Sequence, residues 1–165
     1  MTVSAPPVVV RRPTAADPPR IAAMVAALSA RSLERRFLGT VPRSEAIAEL
    51  RREIEPGDDS IAFVACDAGG SIVGEAYAAL FDGDGAEVAF AVADGWQGRG
   101  VGTALRRELF TALRRRGIRY AVAELLWSNA AMLSLLRDAK LPVAVERCEE
   151  GVLVMRVDLG ALLTP

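Results

Sequence analysis

The sequence predicts a mixed α/β fold, a sheet flanked by helices, in a single domain over residues 1–165. Three observations carry this. Strand-like segments at Ile61–Cys66, Ile72–Leu80 and Glu87–Val92 follow one another through short Gly/Asp turns, with Val8–Arg12 as a fourth. From Glu87 onward, strand, helix and strand alternate. The 165 residues, 52% of them apolar, suffice for one sizeable core, built from Ala, Val and Leu because aromatics make up only 5%.

Taken in order, Val8-Val9-Val10-Arg11-Arg12 reads as a short strand ended by Pro13. Asp17 before Pro18-Pro19 predicts an N-cap, and Ile21, Met24, Val25 and Leu28 mark one helical stripe. Leu33–Leu38 continues irregularly, its Arg35 and Arg36, with Arg31, reading as a solvated basic face. Ser44–Ile54 reads as a second helix with Ile47, Leu50 and Ile54 inward, stopped by Pro56-Gly57. Asp67-Ala68-Gly69-Gly70 predicts a hairpin turn, and Phe81-Asp82-Gly83-Asp84-Gly85 the next turn. The latter lacks the later ligands and terminal glutamate of a calcium loop. Val101–Arg116 is helical, with Leu105, Leu109 and Leu113 on its apolar stripe, Arg106 and Arg107 off it, and Gly117 placed to end it. Tyr120–Leu126 is a strand and Ala130–Ala139 a helix broken at Leu141-Pro142. Val143–Cys148 and Val152–Leu159 close the chain as a hairpin. The tail from Gly160 carries no evident chemistry.

The chemistry concentrates between the strand Glu87–Val92 and the long helix, at Gln97-Gly98-Arg99-Gly100-Val101-Gly102-Thr103. Three alternate glycines where a helix must begin leave backbone N–H groups bare of side chains. The helix N-terminus favours negative charge there, so the turn predicts an anion site. GxxxxGK[ST] is absent, and the glycine spacing is not that of the dinucleotide fingerprint, which disfavours a nucleoside triphosphatase and a Rossmann enzyme.

Gln97–Ala104 resembles the pyrophosphate-binding signature Q/R-x-x-G-x-G/A of the GNAT superfamily of acyl-CoA-dependent N-acetyltransferases. Asn129-Ala130-Ala131-Met132 is similar to the second coenzyme A segment of that family, although Ser128 or Asn129 serves equally as a helix cap. The resemblance covers nearly the whole chain, with a two-helix N-terminal part. Leu28–Phe37 and Ala86–Phe90 look most like the acetyltransferase domain of bacterial protein-lysine acetyltransferases. The resemblance implies the GNAT-like fold, whose sheet is mixed and mostly antiparallel, with acetyl-CoA as cosubstrate and no metal. Gln97, Gly98, Arg99, Gly100, Val101, Gly102 and Thr103 then hold the pyrophosphate, and backbone groups near Phe90, Ala91 and Val92 hold the pantetheine and the thioester oxygen. Asn129 adds a further contact. The chain departs from the family at Leu136, where many members carry a tyrosine that protonates the leaving thiolate, and at Lys140-Leu141, where members commonly carry Gly-Phe. That departure keeps open a second reading, an acyl-CoA-binding domain without turnover.

Acetyl transfer to an amine needs a proton acceptor, and the chain has no histidine. The same absence removes serine–histidine triads and HExxH zinc hydrolysis. Glu87 is the candidate base: it alternates with Ala89 and Ala91 on a small apolar face where desolvation raises a carboxyl pKa, and it resembles the catalytic glutamate of the protein-lysine group. It also reads as a solvent-facing residue after a turn, with Glu75 as the second candidate. The acceptor is expected to be an amine-bearing substrate, a protein lysine ahead of a small-molecule amine.

A formal charge of −1 and a pI near 5.6 argue against a nucleic-acid partner. No apolar run suits a membrane span and no secretory leader is evident, so a cytoplasmic monomer or homodimer is expected. Cys66 and Cys148 read as buried small hydrophobes.

Overall fold

A computed structural model describes residues 7–81 and 83–160. Asp82 of the turn before Gly83, residues 1–6 and the tail at 161–165 lie outside the described residues. The elements run β1 (Val9–Arg11), α1 (Pro18–Ala27), α2 (Ala30–Phe37), α3 (Arg43–Glu53), β2 (Ser60–Cys66), β3 (Ile72–Leu80), β4 (Gly85–Val92), α4 (Val101–Arg115), β5 (Tyr120–Leu126), α5 (Ala130–Arg137), β6 (Val143–Glu149) and β7 (Val152–Asp158). The strands form one seven-stranded sheet in the order β1-β2-β3-β4-β5-β7-β6, antiparallel throughout except for β4 with β5. This is the mixed, mostly antiparallel α/β architecture that the sequence predicts.

The two sheet faces carry separate cores because successive strand residues point to opposite sides. Phe63, Ala65, Ala76 and Val88 pack with Leu105, Leu109 and Leu113 of α4 and with Leu136 of α5. Val64, Cys66, Ile72 and Ala91 pack with Ile21, Val25 and Leu28 of the α1 region and Leu50 of α3. Buried on both sides, the middle strands are almost continuously apolar rather than alternating. Helix α4 ends as its glycine predicts: Gly117 has φ +79°, its N–H donates to the Arg114 carbonyl, and Ile118 donates back to Leu113, both at 3.0 Å.

Five expectations are corrected. Leu33–Phe37 belongs to a regular helix, α2, which Leu38 ends, so three helices precede β2 rather than two. Asp17 stands at the N-cap of α1, its carbonyl taking the Ile21 N–H, but its side chain does not cap the helix; it accepts from Arg11 at 2.7 and 3.0 Å and from the Thr14 N–H at 2.7 Å, fixing the corner between β1 and α1. That pairing, led by the Arg11 hydrogen bond, holds the Asp17 carboxyl down to about 2. Arg106 is buried and donates to the Leu135 carbonyl at 2.6 Å, bracing α4 against the last turn of α5. Arg36 is buried too, for reasons given below. Cys66 is buried, but Cys148 is exposed on the outer strand β6. Among the described residues no helix is long and apolar enough to cross a membrane.

Candidate active site

The site begins where the sheet opens. Strands β4 and β5 pair only at Gly85–Glu87 with Tyr120–Val122, and beyond that point they part. The Ala93 N–H donates to Val73 and the Phe81 N–H to the Gly85 carbonyl, so odd-numbered residues of β4 turn their main chain toward β3. The alternation leaves the N–H and C=O groups of Val88, Phe90 and Val92 facing the opening. Phe90 therefore offers main-chain groups to a ligand. The Val92 carbonyl is already taken by Gln97 Nε2 at 3.0 Å. Ala91 contributes its side-chain face rather than its backbone, contrary to expectation, because its main chain is committed to the β3 ladder.

A cleft of about 350 Å³ runs through the opening. Its walls are Ala89–Val92 of β4, the glycine turn, Glu124 and Leu125 of β5, one side of α5 with Asn129 and Met132, and Leu28, Ser32, Arg35 and Arg36 on the α2 side. At the turn, Gly98 and Gly100 have φ of +72° and +85°, and no atom lies within 4 Å of where either Cβ would stand. Glycine is required there by conformation, and the space above it is open. The first helical bond of α4 runs from the Ala104 N–H to the Gly100 carbonyl, so Val101, Gly102 and Thr103 have N–H groups without partners inside the helix. A Cβ at Gly102 would rest 3.6 Å from Leu135, an ordinary contact, which fits the Gly/Ala alternative of the signature.

Two residues of the signature do different work from that expected. The Gln97 side chain braces the turn from within, donating to Val92 and to Ser32 Oγ at 3.1 Å. The Arg99 guanidinium lies over the Trp96 ring at 5.7 Å and is not part of the cleft wall. Asn129 caps α5, its Oδ1 accepting from the Met132 N–H at 3.1 Å, and the residue also lines the cleft. Leu136 is fully buried in the core, so no polar group replaces the family tyrosine at that position. Lys140 takes up φ +55°, the left-handed conformation that glycine ordinarily supplies at a helix end.

The hydroxyls on the cleft wall belong to Ser32, Thr103 and Ser134, and neither tyrosine is among the lining residues. Tyr120 lies against Gly85 at the paired end of the split, with Arg156 3.7 Å from its ring centre.

The carboxylates sort by burial. Glu87, on the same face as Ala89, is exposed and lines a second cavity, which shares Arg36 with the cleft, together with Glu45, Glu49 and Glu53. Partial burial pushes its carboxyl above the usual range and the nearby charge of Glu124 adds to the shift, while Arg36 opposes both. Glu124, which sequence reasoning missed, lies on the lip of β5 across the opening from Ala89. It reads in sequence as one more exposed strand residue, and only the parting of β4 from β5 gives it a special place. Among the described residues neither Glu87 nor Glu124 makes an ion pair. Glu75 is different: it is fully buried, 3.5 Å from an Arg36 nitrogen that also pairs with Glu53. Its position inside an ion cluster, away from both cavity walls, removes it as the alternative base.

A strand pair splitting over a helix start, with open backbone N–H groups at a glycine turn, matches the arrangement implied by the sequence signature. Residues 27–138 match the family profile described as Acetyltransferase (GNAT) family, more than half of the chain. The chain belongs to the GNAT family. No curated protein sequence matches it significantly. The GNAT domain of PAT from S. lividans is 29% identical, with a TM-score of 0.77 over 90% of this chain and 89% of that one. The ribosomal-protein-S18-alanine N-acetyltransferase from Escherichia coli shares the fold at 17% identity and a TM-score of 0.69, with coverage of 93% and 94%. Spermidine N-acetyltransferase from Vibrio cholerae, solved with CoA and spermine, does so at 15% and 0.72, with coverage of 95% and 98%. This GNAT protein is an acetyltransferase that uses acetyl-CoA as its cosubstrate.

Proposed function

We propose that this GNAT enzyme transfers acetyl to a primary amine carried by a basic acceptor, a protein lysine ahead of a small-molecule amine, with Glu87 as general base. The observation that carries the reading is the pair Glu87 and Glu124. Two carboxylates that make no ion pair among the described residues stand beside the opening, and of the two arginines on the cleft wall, Arg35 and Arg36, the latter is neutralised by Glu53 and Glu75. Such a mouth favours an arriving ammonium. The 29% identity to the GNAT domain of PAT, and the likeness of Leu28–Phe37 and Ala86–Phe90 to protein-lysine acetyltransferases, support lysine as the acceptor.

Acetyl-CoA supplies the activated acyl group as a thioester. The N–H groups of the turn from Gly98 to Thr103, with the positive end of α4, hold its pyrophosphate, and Asn129 borders the same cleft. Phe90 and Val92 each present a main-chain N–H toward the thioester oxygen. Glu87 takes a proton from the ammonium, freeing the nitrogen lone pair to attack. No tyrosine serves the departing thiolate, which therefore takes its proton from water or from a cleft hydroxyl.

Thiol release with acetyl-CoA and a panel of a lysine-bearing peptide, spermine and simple alkylamines tests the acceptor. Turnover of the peptide ahead of the others is expected. Preference for a small amine would establish the small-molecule reading, and no thiol release with any amine would return the chain to acyl-CoA binding alone. The turn is tested separately by Gly100→Asp, which forces a side chain into the left-handed position and a negative charge into the open space above it. Calorimetry should show acetyl-CoA affinity falling about tenfold or more, roughly 1.4 kcal/mol. Unchanged affinity in the folded variant would remove the turn from the site.

A further inference from the structure

Helix α2 starts in an unusual way. Its N-cap is Ser29, whose Oγ accepts from the Ser32 N–H at 3.1 Å. That is half of a capping box, and the other half needs a Glu or Gln at the third helical position to receive the N–H of the cap residue. Here that position is Ser32, too short to reach back. The missing acceptor comes from 65 residues away: Asp94 Oδ1 takes the Ser29 N–H at 3.0 Å, and Oδ2 takes the Ser29 and Ser32 hydroxyls at 2.7 and 3.2 Å. Burial alone would raise the Asp94 carboxyl, but these donors outweigh it and hold it below the usual range, so it is ionised at neutral pH. The negative charge also sits at the positive end of α2.

Asp94 opens the short 3-10 turn Asp94–Trp96 that leads from β4 into the glycine turn, and Gln97, at the far end of the same segment, donates to Ser32 Oγ as well. The segment feeding the anion cradle therefore grips the first turn of α2 at two points. An eight-residue helix has little stability of its own. This one carries Ser32, Arg35 and Arg36 of the cleft wall.

We infer that Asp94 is a positioning residue that couples the two halves of the active site: filling the Gly98–Thr103 cradle with coenzyme A firms the first turn of α2 and so fixes the acceptor-side wall. The inference rests on the acetyl-CoA reading of that cradle. The physical basis is ordering. With the cradle empty, the turn has N–H groups open and two glycines in left-handed conformation as its hinges. A pyrophosphate that engages those groups restricts the turn, and a restricted Asp94–Gln97 segment loses less freedom in holding Ser29 and Ser32. Linkage makes the effect reciprocal, so a well-seated α2 raises coenzyme affinity in turn.

The test is amide hydrogen exchange with and without coenzyme A, on the wild type, Asp94→Ala and Asp94→Asn. In the wild type, coenzyme A should slow exchange both in the glycine turn and in the first turn of α2, the latter by about fivefold or more, the lower end of ordinary coupling. In Asp94→Ala the glycine turn should still be protected on binding while α2 loses the response. Asp94→Asn, which keeps one acceptor oxygen, should recover part of it. A residue that merely stabilised the fold would speed exchange in α2 equally with and without ligand. Protection of α2 in Asp94→Ala as strong as in the wild type overturns the coupling, as does a wild-type α2 that ignores the ligand while the glycine turn responds. If the wild-type turn itself is unprotected, the coenzyme reading fails and the inference falls with it. Should Asp94→Ala not fold, Ser32→Ala with Asp94→Asn carries the same comparison.

Discussion

Glu87→Gln should lower kcat/KM for the amine acceptor by about 10²–10⁴ at neutral pH while leaving acetyl-CoA affinity nearly unchanged. A lysine amine has a reference pKa near 10.4, so almost all of it arrives protonated and cannot attack until a base takes the proton. Glutamine keeps the size and most of the hydrogen bonding of Glu87 and deletes only that capacity. The pH profile separates loss of a base from loss of shape. Burial, and then Glu124, raise the Glu87 carboxyl, so wild-type activity should fall on acidification through a point above the ordinary carboxylate range. The variant should lack that limb and regain rate steadily toward alkaline pH as free amine becomes available. Thiol release followed from about pH 6.5 to about 9.5, on either side of neutrality and below the amine pKa, shows both effects. Wild-type rates across the range would make Glu87 structural, and Glu124, the carboxylate on the opposite lip, becomes the next residue to replace.

How legible the molecule was in its sequence depends on how far away each residue's partner lies. The strand Tyr120–Leu126, the glycine stop of α4 and the anion turn are all written locally, in alternation, helical spacing and left-handed glycines, and they appear where the spacing places them. Helix α2 was misread as irregular because its second capping acceptor, Asp94, comes from another part of the chain. Arg36 reads as solvated and Arg106 as lying off the apolar stripe because charge alone argues for water, whereas the carboxylates and the carbonyl that satisfy them lie on other elements. Of the signature residues, the glycines stand where the pattern puts them, but the Gln97 side chain, although on the cleft wall, is tied to Ser32 and Val92, and Arg99 lies over Trp96 outside the cleft wall. The parting of β4 from β5, which gives Glu124 its place, has no local mark in either strand.

The second large effect is expected at Arg36. Its side chain, 8% exposed, is shared by those of Glu53 at 9% and Glu75 at 0%, and both Arg36 Nε and Glu75 Oε2 are buried without partners. One cation thus compensates two carboxylates in the wall between the second core and the cleft. Arg36→Met fills similar volume and leaves both carboxylates stranded, a loss of about 3–5 kcal/mol for breaking a buried pair from one side. For a domain of this size that lowers Tm by about 10 °C. The pH dependence identifies the cause. Burial, reinforced by Glu75 and opposed by Arg36, pushes the Glu53 carboxyl up to about 8. A raised carboxyl holds its proton in the folded state, so the stability it contributes is complete below the ordinary carboxylate range and is lost as pH rises through about 8. Without Arg36 this dependence steepens, since the charge that opposes the rise of the Glu53 carboxyl is gone. The deficit of Arg36→Met should therefore be largest near pH 8 and shrink toward pH 5, whereas Glu53→Gln, which leaves one cation for one carboxylate, should stay near wild type and flatten the slope. Thermal denaturation of the three proteins at about pH 5, 6.5 and 8 decides it: an Arg36→Met Tm within about 2 °C of wild type at the highest pH, less than 1 kcal/mol, would mean that the two glutamates are held by something other than this arginine.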